Sequence, residues 1–110
     1  DEVLVAAMLA EKLRMAGYET VELNDGAAAL ERLLGDEDFD LVFCDLMMRG
    51  TTGMALAERL DRDRPGRSGR MVFMTGGAFT PEARRFLEEN ADRCVDKPFN
   101  VVAEARARIR

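Results

Sequence analysis

The chain contains no histidine, so any histidine-based catalytic site is excluded. Cysteine is almost as scarce. Cys44 and Cys94 are the only two, and neither belongs to a CxxC pair of the metal-binding or redox kind. Cys44 lies within an apolar stretch and reads as a small buried thiol. A redox role for Cys94 would need an activating neighbour, and none is obvious in the sequence. This sparing use of unpaired cysteine suits a reducing, cytoplasmic compartment. No apolar run has the length of a membrane span and no secretory pattern opens the chain, so no direct membrane contact is expected. Nor is there a basic excess: the net charge is -5, which argues against nucleic acid as the direct partner. Repeats, low-complexity tracts and linkers are missing as well. One domain with a single core accounts for all 110 residues.

What is present is an alternation of helical and strand-like segments. Residues 3–16 repeat apolar side chains with helical spacing, placing Val5, Leu9, Leu13 and Ala16 on one stripe, and Gly17 supplies a stop. Residues 18–23 alternate like a strand, and 27–34 form a short helix before Gly35. Residues 40–45 are apolar enough for a strand buried on both faces. A loop over 46–52 follows, and Thr52 caps a helix over 53–62. Residues 70–74 make the next strand. Thr80, Pro81 and Glu82 then start a helix with a hydroxyl cap, a proline in the first turn and an acid beside it. Residues 93–95 are a brief last strand, and Asn100 caps a final helix to residue 109, where Arg106, Arg108 and Arg110 complement the helix dipole. Strict alternation with short connections predicts a doubly wound α/β fold, a parallel sheet covered by helices on both faces.

Three strand ends carry chemistry. Asp45, Thr75 and Lys97 each stand at or just after the carboxyl end of a predicted strand, the edge where open α/β sheets bind ligands. Asp1 supplies a second carboxylate. A strand-end carboxylate binds a hard cation or attacks phosphorus to form an aspartyl phosphate. Phosphoryl transfer then needs alignment and neutralisation of the equatorial oxygens. A cation held by Asp1 and Asp45, the Lys97 ammonium and the Thr75 hydroxyl would together meet that need. Each residue taken singly has an ordinary reading as a cap, loop anchor or surface charge; the four in sequence do not.

The ordered set Asp1-Glu2, Asp45-Leu46-Met47-Met48, Thr75-Gly76 and Lys97-Pro98-Phe99, at these intervals, resembles the receiver domain of two-component response regulators along nearly the whole chain. The resemblance implies a flavodoxin-like sheet in the order 2-1-3-4-5. It also implies that Asp45 accepts a phosphoryl group from a histidine kinase or histidine phosphotransfer domain. Mg²⁺ would be held by Asp1, Asp45 and the main-chain carbonyl of Met47. Thr75 would move to the phosphate and Lys97 would contact a phosphate oxygen, with a cis Lys97–Pro98 bond usual in the family. Such a domain is not a classical enzyme by itself; it catalyses its own Mg²⁺-dependent phosphorylation. The stretch 72–84 is similar to receivers fused at the C-terminal end of hybrid sensor histidine kinases, which would place the phosphodonor in the same polypeptide. A homodimer is compatible with the reading.

Four departures qualify the match. Only one of the two adjacent acids that close the family's first strand is present, as Asp1. The first strand itself is missing from residues 1–110, and it belongs at the sheet centre, so upstream residues or strand donation by another chain are expected to supply it. Arg49 stands where the loop commonly has proline, and Cys94 where the family has Tyr or Phe, whose rotation reports phosphorylation. A readout face of Arg84, Arg85, Glu88, Arg93 and Asp96 is expected. The competing readings are a pseudo-receiver acting as a protein-interaction scaffold and a metal-dependent aspartyl phosphatase of the haloacid dehalogenase-like kind. The phosphatase would need an acid two residues after the nucleophile, where this chain has Met47.

Overall fold

In the computed structural model the residues described are 2–48, 51–76 and 80–109. They form two compact units, one of residues 25–99 and one combining residues 1–24 with 100–110. The larger unit is the α/β body. Helix α2 (Gly26–Leu34) leads to strand β1 (Val42–Asp45), a small hairpin of β2 (Met47–Met48) and β3 (Thr51–Thr52), helix α3 (Gly53–Asp63), strand β4 (Met71–Thr75), helix α4 (Pro81–Glu89) and strand β5 (Cys94–Asp96). Strands β1, β4 and β5 pair in parallel with β4 in the middle. They correspond to the last three strands of the expected order.

Side-chain hydrogen bonds at the helix starts explain where each helix begins. Asp25, Thr52 and Thr80 accept from the main-chain N–H three residues on, satisfying donors that the first turn leaves open. Pro81 opens α4 and Glu82 sits in its first turn, as the sequence pattern requires. The middle strand β4 carries a paired neighbour on each edge and is buried at every position. Phe73 and Leu60 are wholly inaccessible, and they join Leu33, Leu46, Leu56 and Met71 in the core.

An aromatic pair and an arginine lock the end of α4 to this core. Phe86 meets Phe73 edge-to-face, with centroids 4.8 Å apart. The Arg93 guanidinium lies 5.3 Å from the centre of the Phe73 ring and donates to the Ser68 carbonyl at 2.7 Å. Arg93 also donates to Asn90 Oδ1, while Asn90 Nδ2 donates to the Phe86 carbonyl. Arg93 is therefore half-buried structure, and the expectation that it belongs to an exposed readout face is corrected. On the opposite side, Arg64, Arg67 and Arg70 donate to the carbonyls of Leu34, Gly35, Glu37 and Phe39. Three arginines thus latch the loop that precedes β1.

In the smaller unit, α1 (Glu2–Met15) packs with α5 (Val101–Arg108). The buried stripe of α1 is turned from the one expected. Ala6, Leu9, Ala10 and Leu13 are its least exposed positions, whereas Val5 and Ala16 are exposed, and so are Leu4 at 64% and Met15 at 80%. Asn100 caps α5 through Ala103 N–H, and Arg108 pairs with Glu104 one turn back. Arg110 lies outside the described residues.

Three further expectations differ from the structure. Residues 18–23 form no strand. In the order 2-1-3-4-5 their only ladder partner is a strand preceding α1, and none occurs among the described residues. Val21 and Leu23 are consequently exposed. The loop expected over 46–52 contains the β2–β3 hairpin. The strand starts at 70 and 93 give way to Met71 and Cys94, because residues 67–70 and 91–93 wind into 3₁₀ turns first, and the start at 40 gives way to Val42 after a bend at Asp40.

Cys44 is buried, and desolvation, with a smaller push from the Asp45 charge, raises its thiol to about 12 from an ordinary 9.0. The folded state therefore holds this proton more tightly than the unfolded chain. The associated stability is present in full below pH 9 and is lost as pH rises towards 12. Native protein at pH 8 is expected to leave Cys44 unalkylated by iodoacetamide, with labelling only after denaturation, and Cys44→Ala should flatten the alkaline loss of stability. Truncating the central ring, Phe73→Ala, should lower the unfolding free energy by about 3–5 kcal/mol in urea titrations.

Candidate functional site

The register of the parallel sheet brings the three strand-end residues together. Asp45, the last residue of β1, lies beside Met74, and the next residue of β4 is Thr75. Thr75 in turn lies beside Asp96 at the end of β5. The Lys97 N–H then donates to the Thr75 carbonyl at 2.8 Å. One ladder thus carries the chain from Asp45 through Thr75 to Lys97.

Across that edge, Lys97 Nζ donates to Asp45 Oδ1 at 2.6 Å. The two side chains are only 24% and 21% exposed, so the pair is shielded enough to be worth more than a surface ion pair yet remains open to solvent. The ring of Phe99 stacks on Phe43 at 5.9 Å. That contact ties the segment after Lys97 onto β1, two residues before Asp45. The Lys97–Pro98 peptide bond is cis, as expected. Thr75 is 4% exposed at the mouth of the Gly76 turn, where an added Cβ would meet nothing within 4 Å.

Met47 follows the acid through Leu46, whose side chain is fully buried. Gly53 N–H donates to the Leu46 carbonyl at 2.7 Å, and Met47 lies opposite Thr52. Bonded and non-bonded pairs alternate along an antiparallel ladder, so Met47 and Thr52 form a non-bonded pair whose main-chain groups turn outward. The Met47 carbonyl and the Asp45 carboxylate are both hard oxygen donors. Such a set fits a hard divalent cation that keeps several waters. Asp1, Arg49 and residues 77–79 lie outside the described residues, so the second carboxylate is not placed.

Of the residues singled out from sequence, Asp45, Thr75 and Lys97 share one edge, and Met47 stands next to it. Cys94 is half-buried at the start of β5, opposite Phe73. Two contributors carried no sequence signal of their own: Phe43, which seats Phe99, and Gly53, which donates to Leu46.

Comparison with known proteins agrees with this arrangement. The family model for the response regulator receiver domain matches residues 1–109. The phosphate regulon transcriptional regulatory protein PhoB of Pseudomonas aeruginosa is 34% identical over 113 residues, which is 100% of this chain and 49% of PhoB. The DNA-binding response regulator MtrA of Mycolicibacterium smegmatis is 36% identical over 115 residues, covering 100% of this chain and 48% of MtrA. The chain therefore spans about half the length of these relatives. Among solved structures, a response regulator from Burkholderia pseudomallei superposes with a TM-score of 0.72 at 28% identity, over 97% of this chain and 61% of that one. Its crystal contains a phosphorylated aspartic acid, a calcium ion and citrate. With its parallel sheet, its strand-end acid, hydroxyl and lysine, and a family match along its length, this chain belongs to the response regulator receiver domains of two-component signalling.

Proposed function

We propose that residues 1–110 form a receiver domain in which Asp45 accepts a phosphoryl group from a phosphohistidine, with Mg²⁺ bound by Asp45, the Met47 carbonyl and Asp1. The single observation that carries this reading is the Lys97–Asp45 contact of 2.6 Å at the carboxyl edge of the sheet. The ammonium is already where a phosphoryl oxygen on Asp45 would arrive. Mg²⁺, when bound, would neutralise a second phosphoryl oxygen and ease the repulsion between the phosphoryl group and the Asp45 carboxylate. Lys97 supplies a fixed cation, and Thr75 a hydroxyl one residue along β4 from Asp45's neighbour Met74.

Phosphorylation replaces one carboxylate charge by about two at neutral pH and adds acceptor oxygens. Lys97 then has a stronger partner in the phosphate than in the bare acid, and the Thr75 hydroxyl can donate to the added oxygens. That difference in contact energy is what shifts the domain between its two states. The turn after Thr75 and the following α4 are the elements it moves. The phosphodonor is a histidine kinase or histidine phosphotransfer domain, carried on another chain or in the same polypeptide. Among the described residues no helix is long and apolar enough to cross a membrane, and neither Cys44 nor Cys94 is in a disulfide; we place the domain in the cytoplasm.

The test is beryllofluoride with Mg²⁺ added to the full-length protein, followed by ¹⁹F and amide NMR. Wild type is expected to bind only when Mg²⁺ is present, with shifts at Asp45, Thr75 and Lys97, and Asp45→Ala to show none. A folded wild type without any response would eliminate phosphoacceptance and leave an interaction scaffold. Lys97→Ala and Thr75→Ala are expected to retain Mg²⁺ binding but to lose the shifts in α4 that accompany the phosphate analogue.

A further inference from the structure

Gly53 opens α3 and is buried. A Cβ placed on it would lie 2.6 Å from the Asp45 carbonyl oxygen, 3.2 Å from the Leu46 Cα and 3.2 Å from Cδ1 of Phe73. Two of these three atoms are main chain, which cannot swing aside as a side-chain tip does. By contrast, an added Cβ at Gly69 or Gly76 would meet nothing within 4 Å. The first turn of α3 thus closes on the last peptide of β1 at a distance that only glycine permits.

The same residue grips the chain by a hydrogen bond. Its N–H donates to the Leu46 carbonyl at 2.7 Å, while Leu46 N–H donates to the Met74 carbonyl at 2.9 Å. Leu46 is held by both main-chain groups and by a fully buried side chain. Its neighbours on either side are Asp45 and Met47.

We propose that Gly53 is a positioning residue for the phosphoryl- and metal-binding segment, an inference that rests on the phosphoacceptor reading above. Absence of a Cβ lets α3 approach the Asp45 carbonyl, and the Gly53 N–H fixes the Leu46 peptide. Together they set the direction of the Asp45 carboxylate towards Lys97 and the outward turn of the Met47 carbonyl. A methyl group at 53 pushes the 45–46 main chain away by several tenths of an ångström. Mg²⁺ is sensitive to such a shift, because it requires near-octahedral ligands at about 2.0–2.1 Å. A glycine needed only for packing would lower stability and leave cation affinity alone.

The experiment compares wild type, Gly53→Ala and Gly69→Ala in the full-length protein, reading Mg²⁺ affinity by amide NMR titration, beryllofluoride binding by ¹⁹F NMR, and thermal unfolding. Gly53→Ala is expected to fold cooperatively and to bind Mg²⁺ at least about tenfold more weakly, a loss of 1.4 kcal/mol. Gly69→Ala should match wild type. A folded Gly53→Ala with wild-type Mg²⁺ and beryllofluoride binding overturns the positioning role while leaving the receiver reading intact. Failure of wild type itself to bind either probe removes the receiver reading, and the inference with it. Should Gly53→Ala not fold, hydrogen exchange on wild type decides. Without Mg²⁺, a Gly53 amide as protected as that of Leu46 supports a preformed clamp, and one exchanging at the rate of an open turn overturns it.

Discussion

The candidate site depends first on the register of β4 between its two parallel neighbours. Side chains alternate across a sheet with a period of two, so a slip of one residue would turn every side chain of a strand to the opposite face. Here the slip is resisted at each step. Phe73 is seated by Phe86 on one side and by Arg93 on another, Leu46 donates across to the Met74 carbonyl, and Lys97 donates to the Thr75 carbonyl. The burial of β4 along its full length makes the register a matter of core packing rather than of loop geometry. Asp45, Thr75 and Lys97 arrive at one edge as a consequence of hydrophobic side chains located well below it.

That dependence explains what could be seen in the sequence. An apolar run that ends abruptly in a polar residue marks both a strand and its end, and Asp45 and Thr75 were visible for that reason. The helix caps were equally plain, since Thr52, Thr80 and Asn100 each act through a bond only three residues away. Local chemistry of this kind survives without knowledge of the fold. Residues 18–23 show the opposite case. Their alternation is strand-like, but a ladder needs a partner, and pairing is a property of two segments rather than one. Arg93 failed for a similar reason. Nothing in its neighbourhood along the chain announces a Phe73 ring twenty residues earlier, so a half-buried structural cation looked like a surface charge. Gly53 looked like any glycine at a helix start.

Cys94 gives the chain a different internal connection from an aromatic at that position. It lies opposite Phe73 in the ladder, and the ring that bridges β4 to α4 is Phe73 itself, through Phe86. The aromatic coupling therefore runs between the middle strand and α4, with Arg93 and Asn90 holding the far end of that helix. On the proposed reading, a displacement at Thr75 would make α4, anchored at its far end, pivot, because packed interfaces move between discrete arrangements more readily than they stretch.

The Lys97–Asp45 pair connects this mechanics to electrostatics. In the structure described, the ammonium faces the carboxylate directly, so the negative charge at the sheet edge is partly compensated before any phosphoryl group arrives. A resting contact of this kind has two opposing effects. It holds Lys97 in place, which on the proposed reading spares the cost of ordering a long side chain during transfer. It also lowers the affinity of the same carboxylate for a cation, since a metal must share the oxygens with an ammonium already bonded to one of them. The outward Met47 carbonyl matters in that competition. It is an uncharged donor whose direction is set by the hairpin and by Gly53, and Lys97 does not neutralise it. On the proposed reading, the hairpin geometry lets this site keep a usable affinity for a divalent cation while its lysine remains bonded to the acid.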